Sequence, residues 1–250
     1  MPPKISTALF GDRAQHGLAV RPDDPHWIEW QTRSLEFYQS TQRSRFGFWI
    51  NRLGYRVLST IDLSGKKVLE VGGGDIRHCE FWNGMPQDYT VVDSDCKMLD
   101  CASESLQKRG ISARRILLPR KWHEMTDLDL PASDVVVMFY CLEHLHPLNM
   151  YVEKLAATLS PGGVLVGAVP CEGGIAWGLG RLVTSRRWLR RNTDIDPDKI
   201  ICWEHPNFVD TIIETLDVYL SREYLSFSPW RIPNLDANLI ASFVYSKRRV

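Results

Sequence analysis

Between His26 and Ile61 the apolar residues recur at helical spacing. Trp27, Trp30, Leu35 and Phe37 are followed by Phe46, Phe48, Trp49, Ile50 and Leu53, which predicts two helices ahead of any strand. From Lys67 onward the period changes. Lys67–Val71, Asp88–Val92, Ala113–Leu118, Asp134–Tyr140 and Val164–Val169 are apolar runs too short for helices and bounded by turn residues, so they read as strands. Asp134–Tyr140 is the plainest, β-branched and apolar as a strand buried on both faces must be. Helical segments intervene at Asp75–Asn83, at Cys96–Arg109 closed by Gly110, and at Leu148–Leu159 stopped by Ser160-Pro161-Gly162-Gly163.

Strands alternating with helices predict a doubly wound α/β fold, its sheet mostly parallel and its crossovers right-handed. The tail follows a different pattern. Residues 171–206 read as irregular and rich in Arg and Trp, and Asn207–Leu220 reads as a helix. Tyr224–Phe227 and Asn238–Tyr245 are strand-like with no helix between them, which predicts an antiparallel hairpin at one sheet edge. Residues 1–25, with their Pro, Asp and Gly, read as an irregular lead-in. The expected organisation is a lead-in with cap helices over 1–61, then a ligand-binding domain over 62–250 that carries an inserted lid at 171–206.

Charge removes several classes of partner. Thirty basic residues balance thirty acidic ones, so the net charge points to neither nucleic acid nor an anionic membrane. No apolar run approaches the roughly 18 residues that span a bilayer, and Met1–Gly11 lacks the pattern of a secretory signal. The cysteines at 79, 96, 101, 141, 171 and 202 form no CxxC pair, as expected of reduced thiols in a cytoplasmic protein.

The chemistry concentrates at strand ends. In an open parallel sheet ligands bind beyond the carboxyl ends of the strands, where the strand order reverses. Gly72-Gly73-Gly74 follows the first strand and lets a ligand approach the backbone closely. Asp93, with Ser94 beside it, ends the second strand, where a carboxylate can accept both hydroxyls of a ribose. A dinucleotide fingerprint wants a third glycine at position 77, and this chain has Arg77. Glu70 would repel a pyrophosphate and suits the ammonium of an amino acid. Together these features favour a nucleoside joined to an amino acid over a nicotinamide dinucleotide.

Val68-Leu69-Glu70-Val71-Gly72-Gly73-Gly74, Val91-Val92-Asp93, the segment from Asp134 to Leu145 and Leu159-Ser160-Pro161-Gly162-Gly163 resemble, in order and spacing, four motifs of the class I S-adenosylmethionine-dependent methyltransferases. The likeness spans about residues 60–170. It implies a seven-stranded sheet with a reversed last strand, and N-terminal helices over the substrate side. It also implies that Glu70 and the glycines hold the methionine end of S-adenosylmethionine, that Asp93 holds the ribose, and that Tyr140 and Cys141 lie near the sulfonium. Trp122 or His123 would meet the adenine. A softer likeness of residues 171–207 to methyltransferases of surface-polysaccharide biosynthesis implies a sugar acceptor, either a nucleotide sugar or a glycan end.

Methyl transfer to a hydroxyl needs a base, and histidine is poised for that near neutral pH. His144 stands just past the fourth strand, Glu172 just past the fifth, and His205 beside Glu204 ahead of the next helix, so these three are the candidate catalytic groups. Glu143-His144 could hold a metal if a carboxylate stood three residues earlier; Tyr140 stands there, and no metal is expected. Arg181, Arg186, Arg187, Arg190 and Arg191 could clamp a phosphate or carboxylate, or form a solvated basic face. Asn207 reads as a helix N-cap. Two rival readings remain, a nicotinamide-dependent oxidoreductase and a protein that binds S-adenosylmethionine without chemistry.

Overall fold

In the computed structural model, which describes residues 3–37 and 45–248, the strand β1 (Lys67–Val71) forms the middle of a sheet. The side chains of Leu35 and Phe46 lie outside the described ones. On one flank of β1 runs β2 (Asp88–Asp93) and then β3 (Arg114–Leu117); on the other run β4 (Ser133–Phe139) and β5 (Leu159–Pro170), all parallel. The chain closes with β6 (Leu220–Ser228) and β7 (Ile240–Lys247). β7 inserts antiparallel between β5 and β6, giving the order β3-β2-β1-β4-β5-β7-β6. The fold class and the edge hairpin agree with the sequence pattern. The order reverses between β1 and β4, so the ligand edge lies at their carboxyl ends.

Two-residue alternation divides the strands between two cores. Leu69, Val136 and Met138 face one layer, with α6 (Leu148–Thr158) and α10 (Val209–Tyr219) packed over it. Val68, Val135, Val137 and Phe139 face the other, built with α5 (Cys96–Gln107) and α4 (Arg45–Tyr55). Val135 to Phe139 are all buried, and burial of each such side chain contributes about 1.5–3 kcal/mol.

A third cluster joins the N-terminus to the insertion. Trp27 and Trp30 of α3 (Pro25–Phe37) pack with Leu189, Ile195, Ile200 and Trp203. The segment expected to be irregular, 171–206, is instead three short helices: α7 (Ile175–Val183), α8 (Ser185–Asn192) and α9 (Pro197–Glu204). The lead-in likewise holds α1 (Pro3–Phe10) and α2 (Arg13–His16). Tertiary packing overrides weak propensity in both places. Gly178 sits inside α7 because α1 crosses it closely; a Cβ there would meet Leu9 at 2.8 Å.

Three local expectations also change. Asp75–Asn83 forms only a 3-10 turn over Arg77–Phe81, because Ile76 adopts a left-handed conformation with φ of 52°. β5 begins at Leu159, so the Ser-Pro-Gly-Gly turn belongs to its start. Asn207 does not cap α10, whose N-cap is Phe208. The Asn207 amide instead donates to the carbonyls of Leu142 and Leu145, at 2.9 and 2.6 Å, and so fastens the turn after β4 to the end of the insertion.

Candidate active site

The turn after β1 requires its glycines. Gly72 and Gly74 have φ of 73° and 56°, a region closed to most side chains. A Cβ on Gly72 would meet Cys141 Sγ at 2.9 Å, and one on Gly73 would meet the Glu70 carboxyl carbon at the same distance. Glu70 is buried, and both its oxygens are taken: His78 Nε2 lies 2.7 Å from Oε1, and the Tyr89 hydroxyl donates to Oε2. This changes the expected direct contact with an ammonium group. The carboxylate supports the turn from beneath, and its charge acts through the backbone.

Asp93 lies at the tip of β2, half-buried, and accepts the Asp95 N–H at 2.9 Å. Burial raises its carboxyl pKa, while the backbone bonds from Asp95 and Ser94 oppose the rise. Ser94 is exposed beside it. Tyr140, at the end of β4, has φ of 55°, and its hydroxyl donates to the Asn51 carbonyl at 2.8 Å, which ties α4 to the ligand edge. A Cβ on Gly54 of α4 would strike that hydroxyl. Cys141 is half-buried, and burial pushes its thiol well up. Past β3, Trp122 and His123 are buried against Tyr151, with ring centroids 4.7 and 4.4 Å away. Both are core side chains, 4% and 6% exposed.

The three candidate catalytic residues, remote in sequence, are brought into one cluster. The His144 and His205 rings are 4.6 Å apart, and His205 Nδ1 lies 3.4 Å from Glu172 Oε2, too poorly aligned for a hydrogen bond. Glu204, which had no assigned partner from sequence, backs His144. His144 Nδ1 sits 2.5 Å from the Glu204 carbonyl and 3.4 Å from its carboxylate, while Trp30 Nε1 donates to Glu204 at 2.8 Å. A carbonyl only accepts, so Nδ1 carries the proton and Nε2 keeps the lone pair. Burial works against a charged His144, but the Glu204 hydrogen bond and the nearby Glu143 outweigh it and raise the pKa to about 8. The same pairing, against burial, lowers Glu204 to about 2.

Glu172 is fully enclosed. It accepts from Trp177 Nε1 at 2.6 Å and from Arg181 at 2.9 Å, and Arg181 with His205 brings it to about 2 despite burial. Burial and Arg181 depress His205 to about 4, so it is neutral at pH 7. Burial pushes Glu143 up to about 7. Arg13 of α2, which the sequence did not single out, donates to the carbonyls of His205 and Pro206 and lies over the Phe208 ring at 3.6 Å. Of the five insertion arginines, Arg181 and Arg186 are buried in pairs with Glu172 and Asp198, which removes them from a clamp; Arg187, Arg190 and Arg191 are exposed. A groove of about 650 Å³ is lined by Phe48, Asp75, Arg77 and Lys108.

A seven-stranded sheet of this order, with a glycine turn after β1, is the Rossmann-like fold of S-adenosylmethionine-dependent methyltransferases. A methyltransferase of that kind from Mesorhizobium loti is 17% identical over 79% of this chain and 97% of its own, with a TM-score of 0.53. The N-methyltransferase NodS from Bradyrhizobium japonicum, solved with S-adenosyl-L-homocysteine, is 16% identical over 97% of this chain and all of its own, with a TM-score of 0.52. The [4+2]-cyclase SpnF shares the fold at 14% identity, over 80% of this chain and 82% of its own, with a TM-score of 0.54. No curated protein matches in sequence. The profile of the Methyltransferase domain family matches residues 38–216, and the chain belongs to that family. Its cofactor is S-adenosylmethionine, and the nicotinamide reading falls with that assignment. The left-handed glycines and the partly buried Asp93 carboxylate, which is in no ion pair with another described residue, suit such a ligand. Among the described residues no helix is long and apolar enough to cross a membrane, and no group of three His, Cys, Asp or Glu side chains could hold a metal.

Proposed function

We propose that this methyltransferase acts on a hydroxyl of a small molecule, with a sugar as the acceptor class, and that His144 is the general base. The supporting observation is the pairing of His144 with Glu204. With Nδ1–H held by the Glu204 carbonyl and carboxylate, Nε2 can take the acceptor proton, and the resulting imidazolium is stabilised by the carboxylate beside it. S-adenosylmethionine supplies a sulfonium methyl group for in-line displacement. The protein contributes positioning: Gly72 to Gly74 admit the methionine end, Asp93 and Ser94 take the ribose, Tyr140 borders the sulfonium and His123 the adenine. The neutral His205, backed by the enclosed Glu172, then binds and orients the acceptor.

In this reading residues 1–61 and the insertion 171–206 act together as the cap over a cytoplasmic enzyme, because α3 and α9 share one apolar cluster. A protein that binds the cofactor without methyl transfer is the alternative, favoured by the [4+2]-cyclase that shares the fold. Incubation of the protein with S-adenosylmethionine and a panel of sugars, nucleotide sugars and phenols, read by mass spectrometry, separates them. Gain of one methyl on a hydroxyl supports the proposal, and turnover confined to amines or absent throughout refutes it.

A further inference from the structure

The net charge is balanced, yet its local distribution is not. From Gly173 to Thr193 the chain carries five arginines and no acidic residue. Arg181 and Arg186 turn inward to Glu172 and Asp198, while Arg187, Arg190 and Arg191 of α8 stay exposed, with no ion pair among the described residues. The preceding helix, α7, is apolar on the outside as well. Ile175, Leu179, Leu182 and Val183 fall on one face at helical spacing, and they are 38–66% exposed. Such a face costs solubility and calls for a partner.

A second exposed apolar element adjoins it. The Asp236 side chain and carbonyl accept the first N–H groups of α7, from Ile175 at 3.1 Å and Ala176 at 2.9 Å. The loop that carries Asp236 presents Trp230, 67% exposed, with Arg231 and Ile232 also exposed. That loop is built to hold its shape: buried Asn238 accepts the Trp230 N–H at 2.9 Å and donates to the carbonyls of Ile232 and Asn234. A tryptophan and aliphatic side chains set among the exposed Arg187, Arg190, Arg191 and Arg231, which outnumber the exposed Asp194 and Asp236 nearby, is the composition of a surface that rests in a headgroup layer.

We infer that the α7 face, the Trp230–Ile232 tip and the α8 arginines form a peripheral docking surface for an anionic phospholipid bilayer. The apolar side chains enter the headgroup and acyl boundary, and Arg187, Arg190 and Arg191 meet lipid phosphates. A second copy of this chain carries the same positive charge on this face, so charge complementarity selects the bilayer.

The test is flotation of the full-length protein with phosphatidylcholine vesicles, with and without phosphatidylserine, alongside light scattering of the protein alone. Wild type floats with the anionic vesicles and is released by high salt. The double variant Leu179→Asp/Val183→Asp and the triple variant Arg187→Gln/Arg190→Gln/Arg191→Gln each lose about tenfold or more in partitioning. Both should keep the wild-type thermal shift with S-adenosylhomocysteine, which shows that they fold; if either does not, Trp230→Ala, on the loop, replaces it with the same expected loss. Failure of wild type to float, or equal flotation of folded variants, overturns the inference. So does a wild-type dimer that Leu179→Asp/Val183→Asp dissociates while vesicles are ignored.

Discussion

At the scale of single residues, function depends on how side chains are backed. Asp93 has backbone donors and, among the described residues, no ion pair, so a bound ribose gains from a carboxylate with unused accepting capacity. Asp93→Ala is expected to lower cofactor affinity by about 2 kcal/mol, roughly thirtyfold, in a calorimetric titration. For His144 the base form is required and the pKa is raised to about 8, so turnover should climb with pH through about 8 and then level off. His144→Ala should cut turnover by about 10²–10⁴ while leaving cofactor affinity unchanged; a variant with a wild-type pH profile would remove His144 from the chemistry. The positions of Glu70 and Asp93 were legible because each lies within a residue of a strand's carboxyl end, and that of His144 because it follows the end of β4 by five residues. Their partners were not: His78 and Tyr89 reach Glu70, and Glu204 reaches His144, through tertiary contacts that no local pattern encodes.

At the scale of elements, the sheet was legible and the cap was not. β1, β2, β4 and β5 are buried on both faces, so continuous Val and Leu runs announced them within a residue or two, apart from the early start of β5. α7 carries two interior glycines and α8 four arginines in eight residues, so neither has the composition of an ordinary surface helix. Those helices exist because α1 and α3 pack on them. Trp203, buried among Trp27, Ile200 and Leu189 with Nε1 donating to the His16 carbonyl, is central to that contact. Trp203→Ala should cost about 3–5 kcal/mol. Hydrogen exchange should then show early opening of 175–205 and of α3, with the sheet still protected. Uniform loss of protection across the sheet would mean that cap and sheet unfold as one unit. Asn207→Ala removes a donor from the Leu145 carbonyl and one of two from the Leu142 carbonyl, and should cost about 1–3 kcal/mol, while misplacing His144.

At the scale of the whole molecule, the ion pairs that link cap to sheet make stability depend on pH in a defined direction. The folded pKa values of Glu172 and Glu204 lie near 2, below their unfolded values, so their contribution is present above about 4.5 and lost as pH falls toward 2. Folded His205, near 4, resists the proton that the unfolded chain accepts from about 6.5 downward, so acid begins to destabilise the fold there. His144 works oppositely: its contribution is present below about 6.5 and lost as pH rises through about 8. Glu143, raised to about 7, offsets the effect of His205, because the folded chain takes up its proton as pH falls from 7 toward 4.5. Melting temperature should therefore fall most steeply below about pH 4.5, and the difference between His205→Asn and wild type should move in the variant's favour as pH falls from 6.5 to 4. The central claim concerns the switch point between β1 and β4, where the glycine turn and Asp93 meet. Calorimetric titration of S-adenosylhomocysteine into wild type and Asp93→Ala tests it most directly. The account predicts saturable one-to-one binding by wild type and loss of about thirtyfold in the variant; absence of binding by wild type, or equal affinity in the two proteins, would contradict it.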